Sequence, residues 1–272
     1  MKLNKSQPIG VFDSGIGGLT VANAISKLLP NEKLIYFGDT AHLPYGDKSA
    51  RAIKQYSYII TDFLIEKGCK AIVIACNSAT AVSYRFLHEM YKDDIHIFGV
   101  IHPVVLAVTQ DESIKKIGII GTQATVQSGV YESLFKQQKP ELEITSLATP
   151  LLAPMIEAGF APNSTIDGVL QYYINRKEFE DIDALILACT HYPLIKDKIA
   201  DLLPPHVKIF DNTIYAAREV QLELQRLYLL SNKKSSENEF YVSDYTENFE
   251  QTTQIFYGEK IKLELAKIWK LS

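Results

Sequence analysis

Apolar runs that stop abruptly at polar or glycine-rich residues recur along this chain, and the segments between them carry apolar positions at helical spacing. The clearest run is Ala71 to Thr80, AIVIACNSAT, in which Ile and Val lead straight into Cys76, Asn77, Ser78 and Thr80. A buried parallel strand reads this way where it meets the polar loop at its carboxyl end. Asp183 to Pro193, DALILACTHYP, repeats the design with Cys189, Thr190 and His191 after the apolar stretch. Pro8 to Phe12 is a further strand, followed by Asp13-Ser14-Gly15-Ile16-Gly17-Gly18 and a helical LTVANAISKLL. Lys33 to Phe37 gives the next, discharging into a long loop with Asp39, Thr40, His42, Pro44, Tyr45 and Gly46. From Ser49 to Lys67, Ile53, Tyr56, Ile60, Phe63 and Leu64 share one helical face. Strand and helix alternate, which predicts βαβ units and a parallel sheet.

After a strand over Ile95 to Ile101 and a helix from Val104, the chain begins again. Ile117 to Thr125 (IGIIGTQAT) echoes Ile9 to Gly17 (IGVFDSGIG) at a shift of 108, and Cys189 follows Cys76 at a shift of 113. Near-equal shifts of this length suggest two related α/β domains produced by an internal duplication. Strands are expected at Glu143 to Leu147 and Lys208 to Asp211, and helices at Asp167 to Asn175 and Thr213 to Leu230. Leu151 to Gly159 carries one acid, Glu157, among apolar neighbours, and Ser231 to Glu239 reads as an exposed loop. Phe240 to Asp244, a short helix and a strand over Lys260 to Leu265 complete the chain. Each half needs a full sheet, so this tail is expected to return to the first. The domains are then residues 1–100 plus 212–272, and 101–211, joined by two crossings.

Composition narrows the classes. The 272 residues are 47% hydrophobic with a formal net charge of −4 and a sequence pI of about 5.9, so nothing calls for a nucleic-acid or membrane-surface partner. No apolar run is long enough to span a bilayer, and MKLNKSQ lacks the apolar core of a signal peptide. A cytoplasmic protein is expected, with its three cysteines as thiols.

Cys69, in EKGCKA, has no polar constellation and reads as a small buried hydrophobe. Cys76 and Cys189 are each followed at once by hydrogen-bonding side chains. Their spacing fits neither a zinc site nor a redox CxxC pair. One cysteine nucleophile with His191 or His42 as base is conceivable, but leaves the second thiol without a role. Two thiols on opposite walls of a shared cleft suit a reaction that treats a carbon acid from both faces: one removes the α-proton, the other supplies a proton. Asp13 and His191 are candidates for moving protons onto and off the thiols, and helix N-termini after both strands would stabilise thiolate charge. The turn at Gly15, Gly17 and Gly18 resembles a phosphate cradle but matches neither nucleotide fingerprint, and a carboxylate suits the same N–H groups. A Schiff-base lysine is not evident, because Lys48 and Lys70 read as surface charges.

The segments FDSGIGGLTV, YFGDTAHLPYG, ACNSAT, IGIIGTQATVQSGVY and LACTHYPL, in that order, resemble the cofactor-independent aspartate/glutamate racemase superfamily, and within it the glutamate racemases. The resemblance runs from about residue 8 to the C-terminus. It implies two pseudo-symmetric flavodoxin-like domains with the active site between them, interconversion of L- and D-glutamate for peptidoglycan, no cofactor, no metal, and a homodimer. Cys76 and Cys189 then match the catalytic acid/base positions. Asp13, Ser14, Tyr45, Gly46, Asn77, Ser78, Thr190 and His191 match substrate-binding positions, with Asp39, Pro44, Thr122, Thr125 and Glu157 as a supporting set. Ser78 stands where many members carry threonine, and since the hydroxyl is kept, a change of packing and not of function is expected. The alternatives are a racemase of another acidic amino acid such as aspartate, a cysteine hydrolase, and a non-catalytic binding module.

Overall fold

A computed structural model describes residues 3–233 and 237–269. Met1, Lys2 and residues 234–236 of the expected polar loop lie outside the described residues. The first half runs β1 (Ile9–Asp13), α1 (Leu19–Leu28), β2 (Leu34–Gly38), α2 (Ala50–Glu66), β3 (Ala71–Ile74), α3 (Asn77–Tyr91), β4 (His96–Gly99) and α4 (Ile101–Thr109). β1, β2 and β3 are buried along their whole length, as unbroken apolar runs require when helices cover both faces of a sheet. The run at Ile95 to Ile101 divides, because β4 stops at Gly99 and Ile101 already opens α4. Pro103 is tolerated there because first-turn N–H groups have no helical acceptor.

The second half runs β5 (Lys116–Gly121), α5 (Gln123–Gln127), α6 (Val130–Gln138), β6 (Glu143–Ala148), α7 (Leu152–Glu157), α8 (Thr165–Ile174), β7 (Ala184–Ala188), α9 (Lys196–Ala200) and β8 (Lys208–Asp211). α10 (Asn212–Arg226), β9 (Glu239–Val242), α11 (Glu247–Tyr257) and β10 (Glu264–Leu265) follow.

Two parallel sheets result, ordered β10-β9-β2-β1-β3-β4 and β6-β5-β7-β8. The order β2-β1-β3-β4 thus recurs as β6-β5-β7-β8, which is the echo in sequence turned into topology. Register agrees: Ile9 lies opposite Leu34 and Ala71, and Ile117 lies opposite Ile144 and Ala184. Strand order reverses between β1 and β3, and again between β5 and β7. Doubly wound sheets bind ligands at such points, outside the strand carboxyl ends. Cys76 and Cys189 each follow the third strand of their set, at those two points.

β9 pairs with β2, Ile35 opposite Glu239, so late residues extend the early sheet. β10 is shorter than the expected Lys260 to Leu265, because Ile261 and Leu263 seat buried side chains without joining the ladder. Lys70 corrects the reading of a surface charge: it is fully buried at the amino end of β3, away from the strand carboxyl ends. Its Nζ donates to Glu32 Oε2 at 2.6 Å, to Leu229 O at 2.8 Å and to Lys5 O at 2.9 Å. Among the described residues no helix is long and apolar enough to cross a membrane.

Candidate active site

The two switch points face each other across one cleft. Ser14, Pro44, Tyr45, Gly46, Cys76, Asn77 and Ser78 line it from the first sheet's loops, and Thr122, Glu157, Cys189, Thr190 and His191 from the second's. Asp13, Asp39 and Thr125 stand behind this lining, each at most 1% exposed.

Cys76 is the N-cap of α3, and Ala79 N donates to its sulfur at 3.4 Å. Its thiol lies 3.7 Å from Ser14 Oγ. Burial, and next the Asp13 carboxyl, push the Cys76 thiol up to about 12, against the pull of Ala79 N–H and Ser14. Cys76 therefore holds its proton at neutral pH. Asp13 is itself raised above the usual carboxyl range, chiefly by burial, with His191 opposing. The backbone N–H of Gly15 donates to Asp13 Oδ2 at 3.2 Å, and the Gly18 N–H stands near enough to favour the ionised carboxyl. The glycine turn thus closes on a carboxylate of its own chain, which corrects the reading of a cradle for an outside anion. Close approach explains the glycines: a Cβ at Gly18 would lie 2.5 Å from Asp13 Cβ, and one at Gly17 would lie 2.4 Å from His191 Cε1.

Cys189 has no helix N-terminus behind it. A short 3₁₀ turn, Tyr192–Ile195, follows instead, so the expectation of helix dipoles at both thiols holds at Cys76 alone. His191 takes the part at Cys189. Its Nδ1 is 3.6 Å from Cys189 Sγ and its Nε2 is 2.8 Å from Glu157 Oε1. Burial pulls the His191 pKa down, but Cys189 and Glu157 together carry it well above the ordinary imidazole value. A cation therefore stands beside the second thiol. Thr20 Oγ1 donates to Thr190 O at 3.1 Å and pins this loop to α1.

Ser78 Oγ lies 2.7 Å from Thr122 Oγ1, which lies 3.0 Å from Thr125 Oγ1, so three hydroxyls bridge the halves. Tyr45 donates its phenol proton to Asp39 Oδ2 at 2.7 Å, while Ser243 Oγ at 2.7 Å and Trp269 Nε1 at 3.1 Å donate to Oδ1. Asp39 is thus the floor of the Tyr45 loop. His42, weighed above as a base, contacts Asp39 and stacks on Tyr56 away from the cleft lining. Cys69 is 2% exposed, its thiol pushed up to about 12 by burial, which fits its reading as a packed hydrophobe. Sequence reasoning missed Tyr131, Pro154, Asn212, Ser243 and Trp269. Tyr131, Pro154 and Ser243 sat inside noted segments without being singled out, because pairings across tens to hundreds of residues leave no local signal.

This arrangement opposes two thiols, one beside a carboxyl and a helix N-terminus, the other beside an imidazolium. The Asp/Glu/Hydantoin racemase family profile matches residues 10–220. A glutamate racemase of Streptococcus gordonii is 36% identical over 95% of this chain and 98% of its own length. The solved glutamate racemase of Francisella tularensis, in complex with D-glutamate, superposes with a TM-score of 0.90 at 36% identity, covering 97% of this chain and 98% of that one. The RacE1 glutamate racemase isoform of Bacillus anthracis superposes with a TM-score of 0.92 at 33% identity over the same shares. The chain belongs to the Asp/Glu/Hydantoin racemase family.

Proposed function

We propose that this protein interconverts L- and D-glutamate by proton transfer between the substrate α-carbon and two thiols, without a cofactor. The observation that carries the reading is the pair of thiols at matching strand ends of two sheets, lining one cleft. The α-carbon sits between Cys76 and Cys189. In one direction the Cys189 sulfur takes the α-proton while Cys76, which holds its own, delivers it to the opposite face. The reverse direction exchanges the roles. His191, hydrogen-bonded to Glu157, balances charge at Cys189, and Asp13 is within electrostatic reach of both Cys76 and His191. The substrate carboxylates are received by N–H groups at the start of α3 and by the hydroxyls of Ser14, Ser78 and Thr190, with the Tyr45-Gly46 turn closing the far side. No lysine or arginine lines the cleft among the described residues, so these neutral donors carry the recognition.

Relatives that share most of this chain's length support glutamate over aspartate. The reading carries with it, as the family resemblance implies, a cytoplasmic homodimer that supplies D-glutamate for peptidoglycan. The test is racemisation of L- and D-glutamate in D₂O by purified protein with nothing added. Turnover with deuterium at the α-carbon is expected. Cys76→Ala and Cys189→Ala should each lower kcat/KM at least about a thousandfold. Substantial racemisation by either variant, or a higher kcat/KM on aspartate, would overturn the reading.

A further inference from the structure

Asn77 is the residue after Cys76 and lines the cleft, yet it is only 3% exposed. Its Oδ1 accepts two hydrogen bonds from residues far along the chain, one of them from the second half of the molecule. The phenol of Tyr131, on α6, donates to it at 3.1 Å, and Asn212 Nδ2, at the start of α10, donates to it as well. Asn212 Nδ2 also donates to the Tyr131 hydroxyl at 2.8 Å, which closes a three-membered ring of contacts. Tyr131 is 2% exposed and Asn212 4%. With Oδ1 occupied twice, the orientation of the planar amide is set. Its Nδ2 is then a buried donor without a partner among the described residues. Native proteins rarely leave such a group unmet unless something outside the chain meets it. Beside it, the first N–H groups of α3 have no helical acceptors and favour an anion.

We propose that Tyr131 and Asn212 are positioning residues for this racemisation. They turn the Asn77 amide so that Nδ2 donates to a substrate carboxylate held at the start of α3. The inference rests on the proposed function, since it takes that carboxylate to belong to glutamate. It also gives the contact between halves a role in binding. Tyr131 comes from α6 of the second half and Asn212 opens α10, where the chain leaves β8, whereas Asn77 follows β3 of the first half, so the donor is fully aimed only when the halves are docked.

A donor that meets a carboxylate unchanged by the reaction binds ground state and transition state alike, so its loss raises KM and leaves kcat in place. Tyr131→Phe removes one hydroxyl and keeps the ring. It should raise KM for both enantiomers by about tenfold, the size of one hydrogen bond to a charged group, with kcat within about twofold. The enantiomers have equal free energy, so kcat/KM must fall equally in both directions. Asn77→Ala should raise KM as much or more, and Tyr131→Phe added to Asn77→Ala should cause no further rise. A packing role alone would shift thermal stability without this KM-against-kcat split.

An unchanged KM in Tyr131→Phe, a loss confined to kcat, or an equal further loss in the Asn77→Ala background would overturn the inference. If Tyr131→Phe fails to fold, Asn212→Ala is judged by the same criteria. Wild-type turnover is the control for the function itself. A wild type that racemises no glutamate sinks that reading, and the network is then judged by calorimetry of D-glutamate binding, where weaker binding by the variant than by the wild type supports it, and equal binding by both, or no binding by the wild type, refutes it.

Discussion

Cys76 and Cys189 occupy equivalent places on repeated strands but meet different charges. Cys76 faces the Asp13 carboxyl and holds its proton, whereas Cys189 faces the His191 cation. One thiol is thus prepared to give a proton and the other has a positive neighbour ready for sulfur charge, a pairing that near-identical surroundings would not produce. Glu157 maintains the difference through its 2.8 Å contact with His191 Nε2. Because the native pKa of His191 is raised, the stability from this pair is complete below the ordinary value of 6.5 and is lost as pH climbs through the raised native value. Glu157→Gln should therefore move both this alkaline loss of stability and the alkaline limb of kcat/KM to lower pH. The pH profiles of unfolding and of turnover check this, and coincident profiles for variant and wild type would show that Glu157 does not hold the His191 proton.

At the scale of elements, the strand-to-helix turns do the aiming. Those turns were legible in sequence because a buried parallel strand is an unbroken apolar run, and the polar residue that ends it lands at the sheet's carboxyl edge. The two cysteines, their flanking Asn77, Ser78, Thr190 and His191, and the duplication of the strand-and-loop pattern could all be read in this way. Asp39 could not be read fully: its loop suggested a site, but its role as a floor depends on Ser243, 204 residues later, and Trp269, 230 residues later. The glycine turn likewise reads as open to a ligand in sequence, whereas in the fold its Gly15 N–H is taken by Asp13 Oδ2. The brace under the Tyr45 loop is testable. Trp269→Phe keeps an aromatic ring against His42 but removes the indole donor, and KM for glutamate should rise by about threefold, as for a partly exposed hydrogen bond. An unchanged KM would mean that the tail does not steady that loop.

At the scale of the whole molecule, a lysine that sequence marks as surface becomes an internal tie. Between Cys69 and Ala71 nothing local announces partners, because they come from Lys5, Glu32 and Leu229. Glu32 Oε1 also accepts from Ser231 N at 2.7 Å, so one ion pair gathers the leading segment, the α1-β2 connection and the return of the chain after α10. Lys70→Met would leave the Glu32 carboxylate buried without its cation and should destabilise by about 3 kcal/mol, whereas adding Glu32→Leu should restore most of that loss. Denaturant unfolding of the single and double variants decides it, and a single variant as stable as wild type would refute the tie.

The place of β9 beside β2 bears on how the chain is made. While the ribosome extends the roughly 200 residues between them, at about 5–20 residues per second, β2 spends roughly 10 to 40 s as an unpaired edge. An open parallel edge is a template for wrong pairing. The second sheet, started later, has all four of its strands by residue 211. The first sheet, started earlier, is finished last, and the floor of its Tyr45 loop is set only when Ser243 and Trp269 emerge. A nascent chain stopped between residues 211 and 239 would carry both thiols and a finished second sheet, yet be left with the apolar β2 edge unpaired and open to aggregation.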